Sequence, residues 1–145
     1  MSTVLGLDHG SRRIGVAVAS EETGQAFARP ALHRRNEQAD LEQILAMARA
    51  EGATTVVLGL PWNMDGSEGA QAASARGFGA QLSAIGLEVV FVDERLTSWQ
   101  AGEHLAAAGR RPSRASGEQD SAAARLILQE YLDARAAPTR PQETP

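Results

Sequence analysis

Four acidic residues of this sequence have positions that suit metal binding. Asp8 ends the first predicted strand, and Asp93 and Glu94 follow the last one. Asp120 lies in a predicted helix, on the apolar face that also carries Ala124. A carboxylate on such a face is nearly buried and needs a partner, and a divalent cation is a partner that clustered carboxylates can share. The pattern therefore predicts a site for a hard ion such as Mg²⁺.

A carboxylate site of this kind suits phosphodiester chemistry. Mg²⁺ prefers oxygen ligands and binds through a few carboxylates together with the phosphate oxygens of a substrate. Two such ions about 4 Å apart activate a water molecule and stabilise the leaving oxygen of a phosphodiester. The 3 histidines of the chain do not have the spacing of zinc ligands, which disfavours a histidine-rich metal site.

Each acid also has a structural explanation. Asp8 precedes a glycine turn that its side chain could stabilise. Asp120 could complement the positive end of a helix dipole, and Asp93 or Glu94 could pair with Arg95. The spacing of the acids alone does not choose between these roles and a metal site.

Composition limits the class of protein. The chain has 145 residues, 43% of them hydrophobic, and no cysteine, which predicts one compact domain without disulfides or thiolate metal sites. No apolar run approaches the roughly 20 residues of a membrane span. We expect a soluble, cytoplasmic protein that does not bind membranes.

The positive charge is unevenly distributed. All 14 basic residues are Arg, and the net charge is −4. Residues 1–35 carry five Arg against three acids, and residues 95–116 carry four Arg against one acid. These two basic segments suit a local phosphate-binding surface, although solvent-exposed Arg on ordinary loops explains them equally well.

Hydrophobic periodicity predicts a meander of three strands, followed by helices that alternate with strands. Pro30 favours an edge position for the third strand, Gly52 is the predicted C-cap of the first helix, and Ser67 is the predicted N-cap of the next helix. The predicted elements are strands 3–8, 14–19 and 25–32, helix 37–51, strand 54–60, helix 68–84, strand 87–92, a helix from the capping box at 97–100 to about 108, an Arg-rich loop 109–117, and helix 118–134.

This order predicts an α/β fold with a mixed central sheet and helices on both faces. Residues 1–134 form the predicted domain, and the proline-containing segment 135–145 is a predicted disordered tail. Ligands of open α/β sheets bind at the carboxyl ends of the strands, so the acids that follow the strands are expected to converge there.

Four sequence blocks, in order, resemble the motifs of the YqgF (RuvX-like) family. Its members are described as pre-16S ribosomal RNA nucleases and as Holliday-junction-resolvase-like proteins. The blocks span nearly the whole predicted domain. They are Leu5-Gly6-Leu7-Asp8-His9-Gly10-Ser11-Arg12-Arg13-Ile14-Gly15-Val16-Ala17, Val57-Leu58-Gly59-Leu60-Pro61-Trp62-Asn63-Met64-Asp65-Gly66-Ser67, Val92-Asp93-Glu94-Arg95-Leu96-Thr97-Ser98, and Asp120-Ser121-Ala122-Ala123-Ala124.

The resemblance implies an RNase H-like fold and a metal-dependent nuclease that acts in the 5′-end maturation of pre-16S rRNA. It implies that Asp8, Glu94 and Asp120 are the catalytic acids and hold Mg²⁺ or Mn²⁺. Glu94 is preferred to Asp93 because the family motif places its acid next to the basic residue Arg95. Water attacks the phosphodiester in the implied mechanism, without a covalent enzyme intermediate.

The implied substrate-binding residues are Arg12, Arg95, Asn63 and Ser67. Arg12 and Arg95 suit backbone phosphates. The loop that holds Asn63 and Ser67 is expected to line the substrate groove, with Ser67 at a helix N-terminus that suits a phosphate. A turn followed by an N-cap explains the last two residues equally simply.

Other functions remain open at this stage. Pre-16S rRNA is the favoured nucleic-acid partner, within a ribosomal precursor particle or free, and branched DNA is the alternative. A non-catalytic RNA-binding assembly factor would keep the same fold. An actin-like or sugar-kinase-like nucleotide-binding domain is disfavoured because such proteins need two domains. The sequence does not choose between a monomer and a homodimer.

Overall fold

A computed structural model of the protein describes residues 3–61, 65, 67–93 and 118–136, except for the side chains of 118–120 and 136. Five strands and three helices lie within this part. They are β1 (Thr3–His9), β2 (Arg13–Ser20), β3 (Gln25–His33), α1 (Glu37–Glu51), β4 (Ala53–Leu60), α2 (Ala70–Ala84), β5 (Glu88–Asp93) and α3 (Glu118–Ala136). Within the described residues, no helix is both long and apolar enough to cross a membrane.

The strands form one mixed sheet in the order β3-β2-β1-β4-β5. The predicted meander is confirmed, because β1 pairs antiparallel with β2 and β2 pairs antiparallel with β3. Parallel pairing joins β4 to both β1 and β5. The apolar run of β4 is buried from Val56 to Leu60, as expected for a central strand that is covered on both faces.

Two apolar layers cover the sheet, one on each face. Helices α1 and α2 pack on the first face, where their buried residues meet Leu5 and Leu7 of β1. Helix α3 packs on the second face, against Val4 of the same strand. The alternation of side chains along β1 therefore assigns odd-numbered residues to the α1/α2 face and even-numbered residues to the α3 face.

The edge strand β3 contains a bulge where it pairs with β2. Val16 of β2 pairs with Arg29, whereas Ile14 pairs with Leu32, so Pro30 and Ala31 together oppose one residue of β2. Proline is tolerated there because a bulged edge strand does not need every amide for the ladder. The extra residue shifts the alternation of side chains, and Leu32 thereby packs into the α1/α2 core.

Local signals define the ends of α1. The Asn36 side chain accepts a hydrogen bond from the Ala39 amide at 2.8 Å, and Gly52 closes the helix with φ of 74°. These contacts satisfy backbone groups that the helix leaves free at its ends. The predicted helix 37–51 and its glycine cap are both confirmed.

The predicted capping role of Ser67 is wrong. Helix α2 begins at Ala70, with Gly69 as an N-cap that lacks a side-chain hydrogen bond. The Ser67 hydroxyl instead donates to Asp65 Oδ1 at 2.6 Å, and the Ser67 amide contacts the same oxygen at 2.9 Å. A local Asp–Ser turn therefore competes successfully with the helix cap.

Two side chains attach α3 to the sheet. The Ser121 hydroxyl donates to the Arg29 carbonyl at 2.6 Å and accepts a long hydrogen bond from the Val16 amide at 3.5 Å. Gln129 lies eight residues further along the helix, a rise of about 12 Å. Its side chain accepts a hydrogen bond from the Ala26 amide and donates one to the Gly24 carbonyl, both at 2.9 Å. The helix is thereby held antiparallel to β1, with its N-terminus at the carboxyl end of that strand.

Several sequence predictions lie outside the described residues. These are the capping box at 97–100 with its helix to 108, the Arg-rich loop 109–117, and the tail from 137 onwards. The final helix ends at Ala136, two residues beyond the predicted boundary at 134.

Gly6 makes the close approach between β1 and α3 feasible. A Cβ atom at this position would lie 2.8 Å from the Leu128 Cβ and 3.0 Å from the Ala124 carbonyl oxygen. We expect Gly6→Ala to lower the free energy of unfolding by about 1–3 kcal/mol, because helix α3 must move away. Urea unfolding monitored by circular dichroism measures this change.

Gly77→Ala is the matched control, because Gly77 is a helical residue with no atom within 4 Å of the added Cβ. We expect Gly77→Ala to stabilise the protein by up to about 1 kcal/mol, since alanine favours the helix. Equal effects of the two substitutions would contradict the close approach.

Candidate active site

Asp8 lies at the carboxyl end of β1, on the face of the sheet that α3 covers. It is 9% exposed. The alternation along β1 places it on the same face as Val4 and Gly6, one residue before the end of the strand. Its carboxylate is therefore nearly buried at the edge of the sheet where ligands of α/β proteins bind.

Glycines flank Asp8 on both neighbouring strands. Gly15 of β2 is its cross-strand partner. Leu7 pairs with Leu58 on β4, so the next residue, Gly59, lies beside Asp8 on the other side. Because neither glycine has a side chain, these two positions place no side-chain atoms beside the carboxylate.

The backbone of α3 brings Asp120 to the same edge. Asp120 precedes Ala124 by one helical turn, and the Ala124 carbonyl oxygen would lie 3.0 Å from a Cβ atom at Gly6. Asp120 also directly precedes Ser121, which is hydrogen-bonded to the Arg29 carbonyl. The first turn of α3 therefore lies over the end of β1. The side chain of Asp120 is outside the described part of the structure.

Asp93 and Asp8 lie on opposite faces of the sheet. Asp93 is the last residue of β5 and pairs with Leu60 of β4. Leu60 packs against Ala72 and Ala75 of α2, which places the pair on the α1/α2 face. Asp93 is therefore not on the same face as Asp8, although both residues end strands at the same edge. Glu94 lies outside the described residues.

The predicted substrate-binding residues are described in part. Arg12 is exposed in the turn between β1 and β2, at the edge where Asp8 lies. Ser67 is exposed between β4 and α2, and its hydroxyl is bonded to Asp65. Arg95 and Asn63 lie outside the described residues.

The start of α2 carries an exposed ion pair near this edge. Arg76 donates to both carboxylate oxygens of Glu68, at 2.7 and 2.6 Å. These hydrogen bonds lower the pKa of Glu68 and raise the pKa of Arg76. Because solvent screens an exposed pair, its contribution to stability is small.

A buried ion pair, which the sequence analysis missed, supports the turn after Asp8. Asp40 is 1% exposed, and its Oδ2 accepts a hydrogen bond from Arg34 Nε at 3.1 Å. Its Oδ1 accepts from the Arg35 amide at 3.1 Å. Arg34 Nη1 donates to the Gly10 carbonyl at 3.0 Å. Asp40 thereby connects the start of α1, the end of β3 and the turn beyond Asp8.

His9 extends this cluster on the α1/α2 face. Its ring centroid lies 4.6 Å from that of Phe78, and the Arg34 guanidinium lies 5.8 Å from the Phe78 centroid. Burial, followed by the positive charge of Arg34, lowers the pKa of His9 to about 4. The imidazole is therefore neutral at pH 7, and it acts as a packed aromatic ring beside Asp8.

The sequence did contain a signal for Asp40. The buried residues of α1 are Asp40, Ile44 and Ala48, spaced four residues apart on one stripe. An acid on an apolar stripe is the same pattern that singled out Asp120. The same pattern in α1 identifies Asp40 as a buried acid. It does not identify the partner of Asp40, because Arg34 lies outside the helix.

Among the described side chains, no three His, Cys, Asp or Glu residues form a group that could hold a metal ion. Of the acids that the resemblance implies, Asp8 has a described side chain. Its carboxylate oxygens are the hard donors that Mg²⁺ and Mn²⁺ prefer.

Comparisons with known proteins agree on the family and the fold. A family model described as "RuvX: Holliday junction resolvase" matches residues 2–134. A protein of Synechococcus sp. named "Putative pre-16S rRNA nuclease" is 44% identical over 137 residues, which cover 94% of this chain and 92% of the relative. A protein of Anaeromyxobacter sp. (strain K) with the same name is 46% identical over 133 residues, which cover 91% of this chain and 97% of the relative.

Two solved structures of RuvC from Thermus thermophilus share the fold. One matches with a TM-score of 0.56 at 18% identity, covering 93% of this chain and 96% of that one. The other, in complex with a Holliday junction substrate, matches with a TM-score of 0.55 at 16% identity and covers 94% and 96%. The expected RNase H-like fold is thereby confirmed.

Removal of the buried Asp40 carboxylate should destabilise the protein. We expect Asp40→Ala to lower the free energy of unfolding by about 3 kcal/mol, because it leaves the Arg34 charge without its partner. Asp40→Asn should cost less, since its amide oxygen can still accept from the Arg35 amide. Urea unfolding measures both changes.

Glu42→Ala is the control for the loss of an acid from α1. Glu42 is exposed and accepts one hydrogen bond from Gln38 at 3.1 Å, so its loss should change stability by at most about 0.5 kcal/mol. An Asp40→Ala variant as stable as Glu42→Ala would show that the buried pair does not hold this region together.

Proposed function

The chain belongs to the RuvX family, and from this premise we propose that it is a metal-dependent nuclease that hydrolyses phosphodiester bonds in the 5′-end maturation of pre-16S rRNA. The observation that carries the proposal is the position of Asp8. Its buried carboxylate lies between two glycines at the carboxyl edge of the sheet, under the first turn of the helix that carries Asp120.

We assign Asp8, Glu94 and Asp120 as the acids that hold Mg²⁺ or Mn²⁺. Carboxylate oxygens suit these hard ions, and the positions that flank Asp8 on both neighbouring strands are glycines. When bound, the ion supplies positive charge that stabilises the developing negative charge on the phosphodiester and favours ionisation of the attacking water.

The pleat of β5 supports Glu94 over Asp93. Asp93 lies with Leu60 on the α1/α2 face, away from Asp8. Because a strand directs this side chain away from Asp8, Asp93 is the poorer candidate of the two adjacent acids, and we assign Glu94. The family motif, which places its acid next to Arg95, also favours Glu94.

The other residues bind and position the substrate in this proposal. Arg12 contacts a backbone phosphate near Asp8, and Arg95, Asn63 and Ser67 line the remainder of the groove. The ion pair between Arg34 and Asp40 holds the turn that presents Arg12. Attack by water requires no covalent bond between the enzyme and the nucleic acid.

A Holliday junction resolvase is the second candidate function. The description of the family model favours it, and so does the architecture shared with RuvC. The names of the curated relatives favour the RNA substrate. Processing of pre-16S rRNA would place the protein in the cytoplasm with ribosomal precursor particles, as a monomer or homodimer, whereas symmetrical cleavage of a junction would require a dimer.

Removal of the proposed metal ligands should abolish cleavage. We expect the purified protein to cut a model RNA with the immature 16S 5′ region in Mg²⁺ or Mn²⁺, and not in EDTA. Asp8→Asn and Glu94→Gln should each lower the cleavage rate by about a thousandfold, because each loses several kcal/mol of transition-state stabilisation. Gel analysis of end-labelled RNA measures the rate, with a four-way DNA junction tested in parallel.

The outcomes distinguish the candidate functions. Circular dichroism and thermal unfolding first establish that both variants are folded. Selective cleavage of the junction would assign the substrate as branched DNA. If the wild-type protein binds RNA but cuts neither nucleic acid, the non-catalytic assembly factor becomes the better description.

Asp93→Asn provides a separate test of the metal ligand assignment. Because Asp93 lies on the face away from Asp8, we expect this variant to keep the cleavage rate within about threefold of wild type, the change that a loss of well under 1 kcal/mol would produce. The same RNA assay compares it with Glu94→Gln. A loss in Asp93→Asn as large as that in Glu94→Gln would refute the assignment from the pleat.

A further inference from the structure

A cluster of basic residues lies on the β3 side of Asp8. It consists of Arg12 and Arg13 at the start of β2 and of His33 and Arg35 at the end of β3, and we refer to these four residues as the basic rim. Arg12, His33 and Arg35 are exposed, and Arg13 is partly exposed. None of the residues that the sequence analysis assigned to the substrate comes from the β3 end of this cluster.

Backbone contacts make the basic rim one continuous surface. The Arg34 amide donates to the Arg12 carbonyl at 2.9 Å, and Arg13 pairs with His33 across the strands. The Arg34 side chain adds a hydrogen bond to the Gly10 carbonyl. The turn after β1 and the loop after β3 are therefore held together, and both reach the same edge of the sheet as Asp8.

The pleat places part of this rim on the Asp8 face. Gly15 is the cross-strand partner of Asp8, and Arg13, two residues earlier on β2, lies on the same face. His33, the partner of Arg13 on β3, shares that face. Since neighbouring strands lie about 5 Å apart, the rim extends from beside Asp8 to about 10 Å away from β1.

The positive charge of this rim is only partly compensated. Asp40 neutralises Arg34 and also bonds the Arg35 amide, which leaves the Arg35 guanidinium on the surface. Within the part of the chain that the structure describes, Arg12 and Arg35 make no ion pair. Glu37, in the first turn of α1, is the nearby exposed acid along the chain.

We propose that the basic rim binds the phosphate backbone of the substrate strand on the β3 side of the scissile phosphate. Guanidinium groups suit phosphate oxygens, and contacts of this kind position a nucleic acid without reading its bases. The inference rests on the proposed nuclease function and adds His33 and Arg35 to the substrate surface. It also gives the buried Asp40 a role, because Asp40 holds the loop that carries Arg35.

The test is a binding titration at several salt concentrations. The probe is a fluorescein-labelled, single-stranded RNA with the immature 16S 5′ region, and DNA of the same sequence is the second arm. Anisotropy is measured for the wild type and for Arg35→Ala, Arg12→Ala and the double variant in EDTA, with gels to verify that the probe stays intact. Arg49→Ala is the matched control, since Arg49 is an exposed arginine in the last turn of α1, far from the rim.

We expect each rim substitution to raise the Kd by about tenfold near 0.1 M salt, the effect of losing one charged hydrogen bond. The slope of log K against log salt should fall in magnitude by about 0.7 for each lost phosphate contact. Arg49→Ala should change neither quantity. Similar losses in the RNA and DNA arms are expected, because the contact is to the backbone.

Two results would overturn the inference. One leaves the proposed nuclease function intact, and the other contradicts that function as well. In the first, the wild-type protein binds and cuts RNA, but the rim variants have the same Kd and salt slope as Arg49→Ala. The rim then does not bind the substrate, and the proposed function still stands. In the second, the wild-type protein binds neither the RNA nor the DNA probe, which contradicts both the inference and the proposed function. Unchanged thermal unfolding of Arg35→Ala establishes that a loss of binding does not reflect a loss of fold.

Discussion

The close contact between α3 and β1 is the constraint on which the geometry of the site depends. At Gly6 the strand has no Cβ, so the backbone of α3 at Ala124 reaches the surface of the sheet. The contact sets the level of the helix along the strand, and Ser121 and Gln129 hold it there through hydrogen bonds to the sheet. Asp8, two residues beyond Gly6, consequently lies under the first turn of α3 rather than in open solvent.

The two faces of β1 have different roles. One face carries the acid of the candidate site, and the other carries the contacts that support the strand. Asp8 is directed to the α3 face, and the next residue, His9, is directed to the α1/α2 face against Phe78. On that second face, Arg34 and Asp40 hold the turn that follows the strand. The carboxylate is thus positioned by a buried polar cluster that does not itself reach the α3 face. This separation lets the α3 face keep glycines beside the carboxylate, because packing interactions on the other face hold the strand in place.

The sequence predicted the features that depend on neighbouring residues better than those that depend on contacts between distant parts of the chain. Helix α1 was predicted to the residue from its apolar periodicity and from Gly52, a cap that acts on adjacent backbone groups. The bulge at Pro30 was not predicted, since it exists only in the pairing of β3 with β2. Ser67 was misassigned because Asp65 competes for its hydroxyl. The edge position of Asp8 followed from the strand order, whereas the partners of the buried Asp40 required the tertiary structure.

Strand pairing at the end of β5 assigns an acid to one face of the sheet. Asp93 and Glu94 both carry a carboxylate, and the family motif distinguishes them only by their distance from Arg95. The register of β5 places Asp93, because the pairing of Asp93 with Leu60 assigns Asp93 to the α2 side. A shift of one residue in that register would exchange the two faces. The packing of Leu60 against α2 therefore fixes the face of Asp93, and an apolar contact outside the site directs this acid away from the face of Asp8.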